Sequence, residues 1–452
     1  MKVVVIGCTQ AGMTAIRQIS QDYPETEITV YERQNSISYL SCAAYLHLEG
    51  TVKTLSDALD IEPKYFLKQG IDLKLNHDVI HIDHQKHSLV IQDLVTKEIE
   101  TSTYDKLIMT TGSLTAIPTI SGVENSKVLL CKTFDQAQSL CVNTTEKHRV
   151  AIIGGGYAGV ELTEGFAKSG HEVWLIHNKP YLLDKYVEPI ISKKIESTLS
   201  AKGIHIITGT HANAFLDSAD GGLTITTTDN KKYQVDMAVV SAGVIPETSL
   251  LQGQVKMMEN GAIVVDPYMH TSDPDILAAG DDAIVHFNPT DSERYFPLAS
   301  HAVREGMLAG INVFDRKVRS IGTQATMGMQ IFDQTVAVTG MTLKDAKAKL
   351  FHVGSVAYEG PYRPTFMPDD FKVTVILIYD KNNRKILGAQ LMSRHDVSQS
   401  ANTVSGLIQN SGTIDQLAFL DMLFSPNFNN PFDYLNLAGQ KAVKQENGYL
   451  KS

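Results

Sequence analysis

Val3 to Ile6 is a short, unbroken apolar run, mostly β-branched, the pattern of a strand buried on both faces of a parallel sheet. Met13 to Ile19 then repeats its apolar positions with helical spacing, and Ile28 to Tyr31 is a second apolar strand. The same strand, helix, strand sequence recurs at Val150 to Ile153, Val160 to Lys168 and Glu172 to Ile176. Shorter strands are expected at Asp72–Leu75, Val79 to Val90 and Tyr104 to Met109, and in Ile204–Ile207, Leu223–Thr227 and Ala238–Val240. Val187 to Ala201 reads as an amphipathic helix. From about residue 321 the pattern changes to alternating strands, such as Val373 to Tyr379 and Ile386 to Leu391. A helix over Ser398 to Gln409 and an aromatic tail, Phe419 to Tyr434, follow; these aromatics are expected to be core by default, with only some facing a partner. The expected class is α/β, with two doubly wound units and an α+β C-terminal domain.

Both apolar strands that open a unit run into glycine-rich turns. Gly7-Cys8-Thr9-Gln10-Ala11-Gly12 has Thr9 where a complete GxGxxG carries its central glycine, whereas Gly154-Gly155-Gly156-Tyr157-Ala158-Gly159 is complete. Such a turn lets the backbone approach a pyrophosphate seated at the helix N-terminus. Glu32 ends the next strand 20 residues after Gly12, where an acid accepts ribose hydroxyls. In the second unit that place falls to His177, 18 residues after Gly159, with Lys179 nearby, so NADPH stays open beside NADH. Two adenine dinucleotides are therefore expected, or one and an idle duplicate. The late strand Asp275 to Ala279 ends in Gly280-Asp281, and an aspartate there suits the ribityl hydroxyls of a flavin or caps a helix.

With 452 residues, about three domains are expected. A formal charge of −10 without a basic stripe argues against nucleic acid. No apolar run is long enough to span a membrane or to make a signal peptide. The four cysteines, at 8, 42, 131 and 141, form no CxxC or zinc spacing, which points to a reducing cytoplasm. His77, His81, His84 and His87 match no metal-ligand spacing and read as solvated hairpin residues. Cys42 stands behind Ser41 at what reads as a helix start. That setting lowers a thiol pKa, against the alternative of a buried packing cysteine.

Taken together the motifs resemble the pyridine nucleotide-disulfide oxidoreductase superfamily: two Rossmann-like units, a thiol between them, Ala278-Ala279-Gly280-Asp281, and a C-terminal dimer domain. Ser38-Tyr39-Leu40-Ser41-Cys42 is similar to the single-cysteine branch of NADH oxidase, NADH peroxidase and coenzyme A disulfide reductase. Tyr104 to Gly112, Pro267 to Met269, Tyr362-Arg363-Pro364, Asp396 to Asn402 and Asp421 to Tyr434 resemble the water-forming NADH oxidases. The resemblance implies a glutathione-reductase-like architecture. Residues 1–115 and 245–320 would bind FAD, 116–244 would bind NAD(P)H, and 321–452 would form a homodimer.

It also implies site residues. Gly7, Thr9, Gln10, Ala11, Gly12, Glu32, Arg33 and Val79 would hold the adenosine and pyrophosphate side of FAD. Cys42, Thr111, Gly112, Ser113, Lys132, Asp281 and Ala299 would surround the rest, with Ser41 beside the thiol. Gly154, Gly156, Tyr157, Ala158, Gly159, Glu161, His177, Tyr186 and Gly243 would serve NADH or NADPH, Tyr157 covering the flavin until the nicotinamide displaces it. The implied reaction is FAD-dependent NAD(P)H oxidation by O2. Cys42 would cycle between thiolate and sulfenic acid so that water and not H2O2 is the product.

Four positions depart from the branch. Gln10 stands where a histidine is usual, and an amide can donate a hydrogen bond to sulfur but cannot hold a proton near neutrality. Loss of a positioned acid/base costs about 10²- to 10⁴-fold, so H2O2 leakage is expected. Ala43 replaces a glycine, His177 an acid, and Val244-Ile245-Pro246-Glu247 an Arg-Pro-Asn pattern. The alternatives are peroxide or coenzyme A disulfide as acceptor, or a paralogue with a decayed nicotinamide site acting as a redox sensor.

Overall fold

The structure, a computed structural model, describes residues 1–59, 63–144, 148–350 and 352–448. The expected C-terminal domain therefore extends four residues beyond the described chain. The first apolar run is the strand Lys2–Ile6, with Val3, Val4 and Val5 fully buried, at the centre of a five-stranded parallel sheet. Glu27–Glu32 and then Asp72–Leu75 lie on one side of it, and Lys106–Met109 and then Ile276–Ala278 on the other. The strand order reverses at Lys2–Ile6, and a crevice opens there beyond the carboxyl ends of the strands, where open α/β sheets take their ligands. Helices Gln10–Asp22 and Ala299–Asn312 pack together on one face.

A second five-stranded parallel sheet is built the same way around Arg149–Ile153. Glu172–His177 and His205–Thr208 lie to one side, Met237–Val240 and Val128–Leu129 to the other. The chain then returns to the first sheet with Ile276–Ala278, so the first unit is made from two separate stretches of sequence. Val244–Pro246 pairs antiparallel with Ser113–Thr115 and fastens the exit of the second unit to the first.

The last third forms an antiparallel five-stranded sheet in the order Met327–Ile331, Gln334–Gly340, Ile386–Ser393, Lys372–Asp380 and Val353–Pro361. Helices Ser398–Gln409 and Tyr434–Glu446 pack against it, which explains why Ile386–Ser393 is buried at every position. The tail before the last helix differs from expectation. Phe419, Leu423, Phe424, Phe428 and Phe432 are exposed on this chain, Phe419 at 73%, and do not belong to its core. Their backbone forms turns between helices and not an amphipathic element, so apolar character alone could not place them inside.

Candidate functional site

An elongated cavity runs along the carboxyl ends of the first sheet. Its one end is set by Glu32, the last residue of its strand and buried. Oε2 of Glu32 accepts the Cys8 N–H at 2.7 Å and Oε1 the Gln34 N–H at 2.8 Å. Burial raises this carboxyl above its ordinary range, while the two N–H groups and Arg33 oppose the shift. Beside it, Arg33 Nε reaches Asp78 at 2.9 Å. The middle is the turn Gly7, Thr9, Gln10 and Ala11, where the first strand enters its helix.

The other end is set by Asp281, which accepts the Ser113 hydroxyl at 2.5 Å and lies 3.5 Å from Lys132 Nζ. No α-helix starts there: Gly280–Asp282 is a short 3-10 turn, and the carboxylate faces the cavity. Fully buried Asp282 lies beneath, accepting the Gly112 N–H at 3.0 Å and the Thr111 hydroxyl at 2.9 Å, and so fixes the segment that forms the floor. Val79 and Ala299 complete the lining.

Two expected FAD residues do not line this cavity. Gly12 is a packing position: a Cβ there would lie 2.0 Å from the Gly7 carbonyl, so the glycine lets helix and turn close on each other. Cys42 follows the lining residues Tyr39, Leu40 and Ser41 in the chain and stands at the N-cap position of the short helix Ala43–Leu48. Its setting corrects the expectation from sequence, because burial and the charge of Glu161 raise the Cys42 thiol pKa where a helix start was expected to lower it. A helix of six residues has little dipole to set against desolvation.

In the second unit the glycine turn leads from Arg149–Ile153 into the helix Tyr157–Lys168. Gly154 and Gly156 form that turn, Gly159 lies in the first turn of the helix where a Cβ would meet the Gly154 carbonyl, Ala158 is exposed, and exposed Gly243 follows the strand Met237–Val240. Tyr157 packs edge-on against Tyr186, ring centroids 4.7 Å apart, and its hydroxyl is buried without a hydrogen-bond partner among the described residues. His177 is placed differently from its expected ribose role. Its Nδ1 accepts the Gly155 N–H at 3.1 Å and its Nε2 lies 3.5 Å from Asp184, so the imidazole serves the fold of the turn. Lys179, two residues on, is exposed.

Several site residues escaped the sequence. Asp78 and Phe134 line the cavity from segments without a motif. Glu305, buried in Ala299–Asn312, accepts the Gly280 N–H at 2.9 Å. Only Asp282, next to Asp281, carried a signal. The histidines of the 77–87 hairpin make separate contacts: His84 with Asp273 at 2.9 Å, His87 stacked on Tyr104. Among the described residues no group of three His, Cys, Asp or Glu is placed to hold a metal, and no helix is long and apolar enough to cross a membrane.

The donor set fits FAD. A carboxylate at each end of an elongated cavity can accept sugar hydroxyls, at Glu32 those of a ribose and at Asp281 those of the ribityl chain. The backbone turn between them suits a pyrophosphate. Tandem dinucleotide-binding units, one beside a thiol, define a flavin-dependent NAD(P)H oxidoreductase.

Residues 1–306 match the pyridine nucleotide-disulphide oxidoreductase family and residues 327–434 the dimerisation domain of that family. An NADH oxidase of Enterococcus faecalis is 40% identical over 98% of this chain and 100% of its own length. The structure of a water-forming NADH oxidase from Lactobacillus brevis, bound to NADH, covers 100% of both chains at 43% identity, with a TM-score of 0.97. That of the reduced Bacillus anthracis CoADR-RHD covers 100% of this chain and 81% of its own, at 25% identity and a TM-score of 0.95. The chain belongs to the pyridine nucleotide-disulphide oxidoreductase family.

Proposed function

We propose that this chain is an FAD-dependent NAD(P)H oxidase that reduces O2 to water, with Cys42 as its second redox centre. The observation that carries the reading is that Cys42, half-buried, directly follows in the chain the stretch Tyr39, Leu40 and Ser41 that lines the dinucleotide cavity. FAD, when bound, would accept a hydride from the reduced nicotinamide and pass electron pairs to O2 and to the thiol. Glu32, the turn at Gly7 and Asp281 would hold it, and Tyr157 and Tyr186 would close the nicotinamide side.

Cys42 then removes peroxide. Its thiolate takes one oxygen atom, the O–O bond breaks, and hydroxide leaves to become water. A second electron pair from NADH cleaves the S–O bond and releases the second water, so two NADH and two protons reduce one O2. By the same step added peroxide would also be an acceptor. Half-burial of the thiol shields the sulfenic acid from further oxidation and from foreign thiols.

The division into an FAD domain of residues 1–115 and 245–320, an NAD(P)H domain of 116–244 and a C-terminal domain of 321–452 is supported by the strands each sheet contains. The exposed apolar side chains of the 419–432 tail support homodimerisation through that last domain. A working thiol centre suits a reducing cytoplasm. NADH is the expected donor; exposed Lys179 and the absence of an acid at position 177 leave room for NADPH. Anaerobic titration of the holoenzyme with each nicotinamide tests the reading: NADH should bleach the flavin within the turnover time. Bleaching by neither would refute the oxidase assignment and favour the sensor.

A further inference from the structure

Position 10 cannot hold a proton, yet the Cys42 cycle requires one to be taken from the thiol and one to be given to the departing hydroxide. A carboxyl group that no ion pair claims among the described residues is carried by the helix packed on that of Cys42. The helix Tyr157–Lys168 packs on the cysteine helix Ala43–Leu48, and Gly165 makes this possible. A Cβ on Gly165 would lie 3.0 Å from the Tyr45 carbonyl and 3.2 Å from Leu48 Cβ. Glu161 is one helical turn before Gly165 on the same face, and its charge acts on both Tyr45 and Cys42.

The charged groups around it are Glu49 and Glu164, with Lys168; the tyrosines nearby are Tyr45 and Tyr157. Lys168 is already taken, 2.6 Å from Glu164 and 2.8 Å from Glu49. Among the described residues no cation pairs with Glu161. Burial, then Glu164 and Glu49, push its carboxyl up to about 7, so both of its protonation states are populated at neutral pH.

We propose that Glu161 is the proton carrier for Cys42, a role that rests on the sulfenic acid cycle proposed above. As the carboxylate it takes the thiol proton. The thiolate attacks peroxide, the S–O bond forms and the O–O bond breaks, sulfur loses two electrons, and the leaving hydroxide takes the proton back from Glu161 as water. In the return half two electrons from NADH cleave the S–O bond to give thiolate and hydroxide. Glu161, reprotonated from solvent, protonates the hydroxide, and the proton that NADH gives up with its electron pair restores the thiol.

The test avoids the nicotinamide, whose site Glu161 is also expected to serve. Holoenzyme reduced with dithiothreitol and desalted is pulsed with H2O2, and Cys42 sulfenic acid is trapped with a dimedone probe and quantified by mass spectrometry from pH 5.5 to 8.5. The wild-type rate should rise through about pH 7. In Glu161→Gln that limb should vanish, and the rate at pH 7.5 should fall at least about tenfold, the low side of general acid–base effects. Glu161→Asp should keep the limb at a reduced rate.

The sign is diagnostic. A merely electrostatic neighbour raises the thiol pKa, so its removal would speed Cys42 oxidation. A Glu161→Gln rate equal to or above wild type overturns the proposal. Should Glu161→Gln fail to retain FAD, a wild-type profile flat between pH 6 and 8 overturns it. Absence of any Cys42 adduct in wild type at every pH would instead refute the sulfenic acid cycle itself.

Discussion

Replacing Asp281 by alanine tests the assignment of the first cavity to FAD. The side chain is 18% exposed, its Oδ2 accepts the Ser113 hydroxyl, and Lys132 stands 3.5 Å away. At that depth the carboxylate is worth more than a surface ion pair, which contributes about 0–1 kcal/mol. A ribityl hydroxyl donated to a charged acceptor contributes about 1.5–3 kcal/mol, which at about 1.4 kcal/mol per decade is about 10- to 150-fold in Kd. Asp281→Ala also leaves Lys132 without this partner, adding in the same direction. Asp281→Asn keeps an acceptor for Ser113 and loses the charge, so its effect should be smaller. The assay is recovery of flavin fluorescence as apoprotein is titrated with FAD, with circular dichroism to verify the fold. An Asp281→Ala chain that folds and binds FAD within about twofold of wild type, against the expected range, would refute the placement of the ribityl chain.

Glu305 is buried and pushed up to about 8, so between the ordinary glutamate range and that value the folded chain keeps a proton that the unfolded chain has lost. Stability should therefore fall as pH rises through that window and level off above pH 8. Thermal unfolding of Glu305→Gln holoenzyme should show a smaller fall, with the amide oxygen still accepting the Gly280 N–H; an unchanged slope would exclude Glu305 as its source. Phe428 is 64% exposed, and Phe428→Asp should shift the proposed homodimer toward monomer in sedimentation velocity, whereas a variant that sediments as wild type would place the interface elsewhere. Gln10→His should leave turnover and H2O2 release close to wild type if Glu161 already moves the protons at Cys42; a clear fall in released H2O2 would return that task to position 10.

Local pattern carried far in this chain because both dinucleotide units are written in strand, glycine turn and helix. Glu32 ends its strand and Asp281 follows its strand in a short turn, and both line the cavity. Spacing could not tell lining from packing, however. Gly12 belongs to the motif yet faces the Gly7 carbonyl, and His177 takes the place of a ribose acid while its nitrogens turn to Gly155 and Asp184. The Cys42 environment was illegible for a different reason. Its pKa is raised first by burial and then by Glu161, more than a hundred residues away and brought near by a helix crossing that Gly165 permits. The aromatic tail misled because an apolar residue in sequence has the same signature whether it meets its own core or another chain.

Simultaneous accounting of NADH, O2 and H2O2 for wild type and Cys42→Ser puts the central claim to its most direct test. The account predicts about two NADH consumed per O2 with little H2O2 in wild type. Cys42→Ser should move toward one NADH per O2 with H2O2 accumulating, while flavin reduction under anaerobic conditions stays at the wild-type rate. The same stoichiometry in both proteins would contradict Cys42 as the second redox centre.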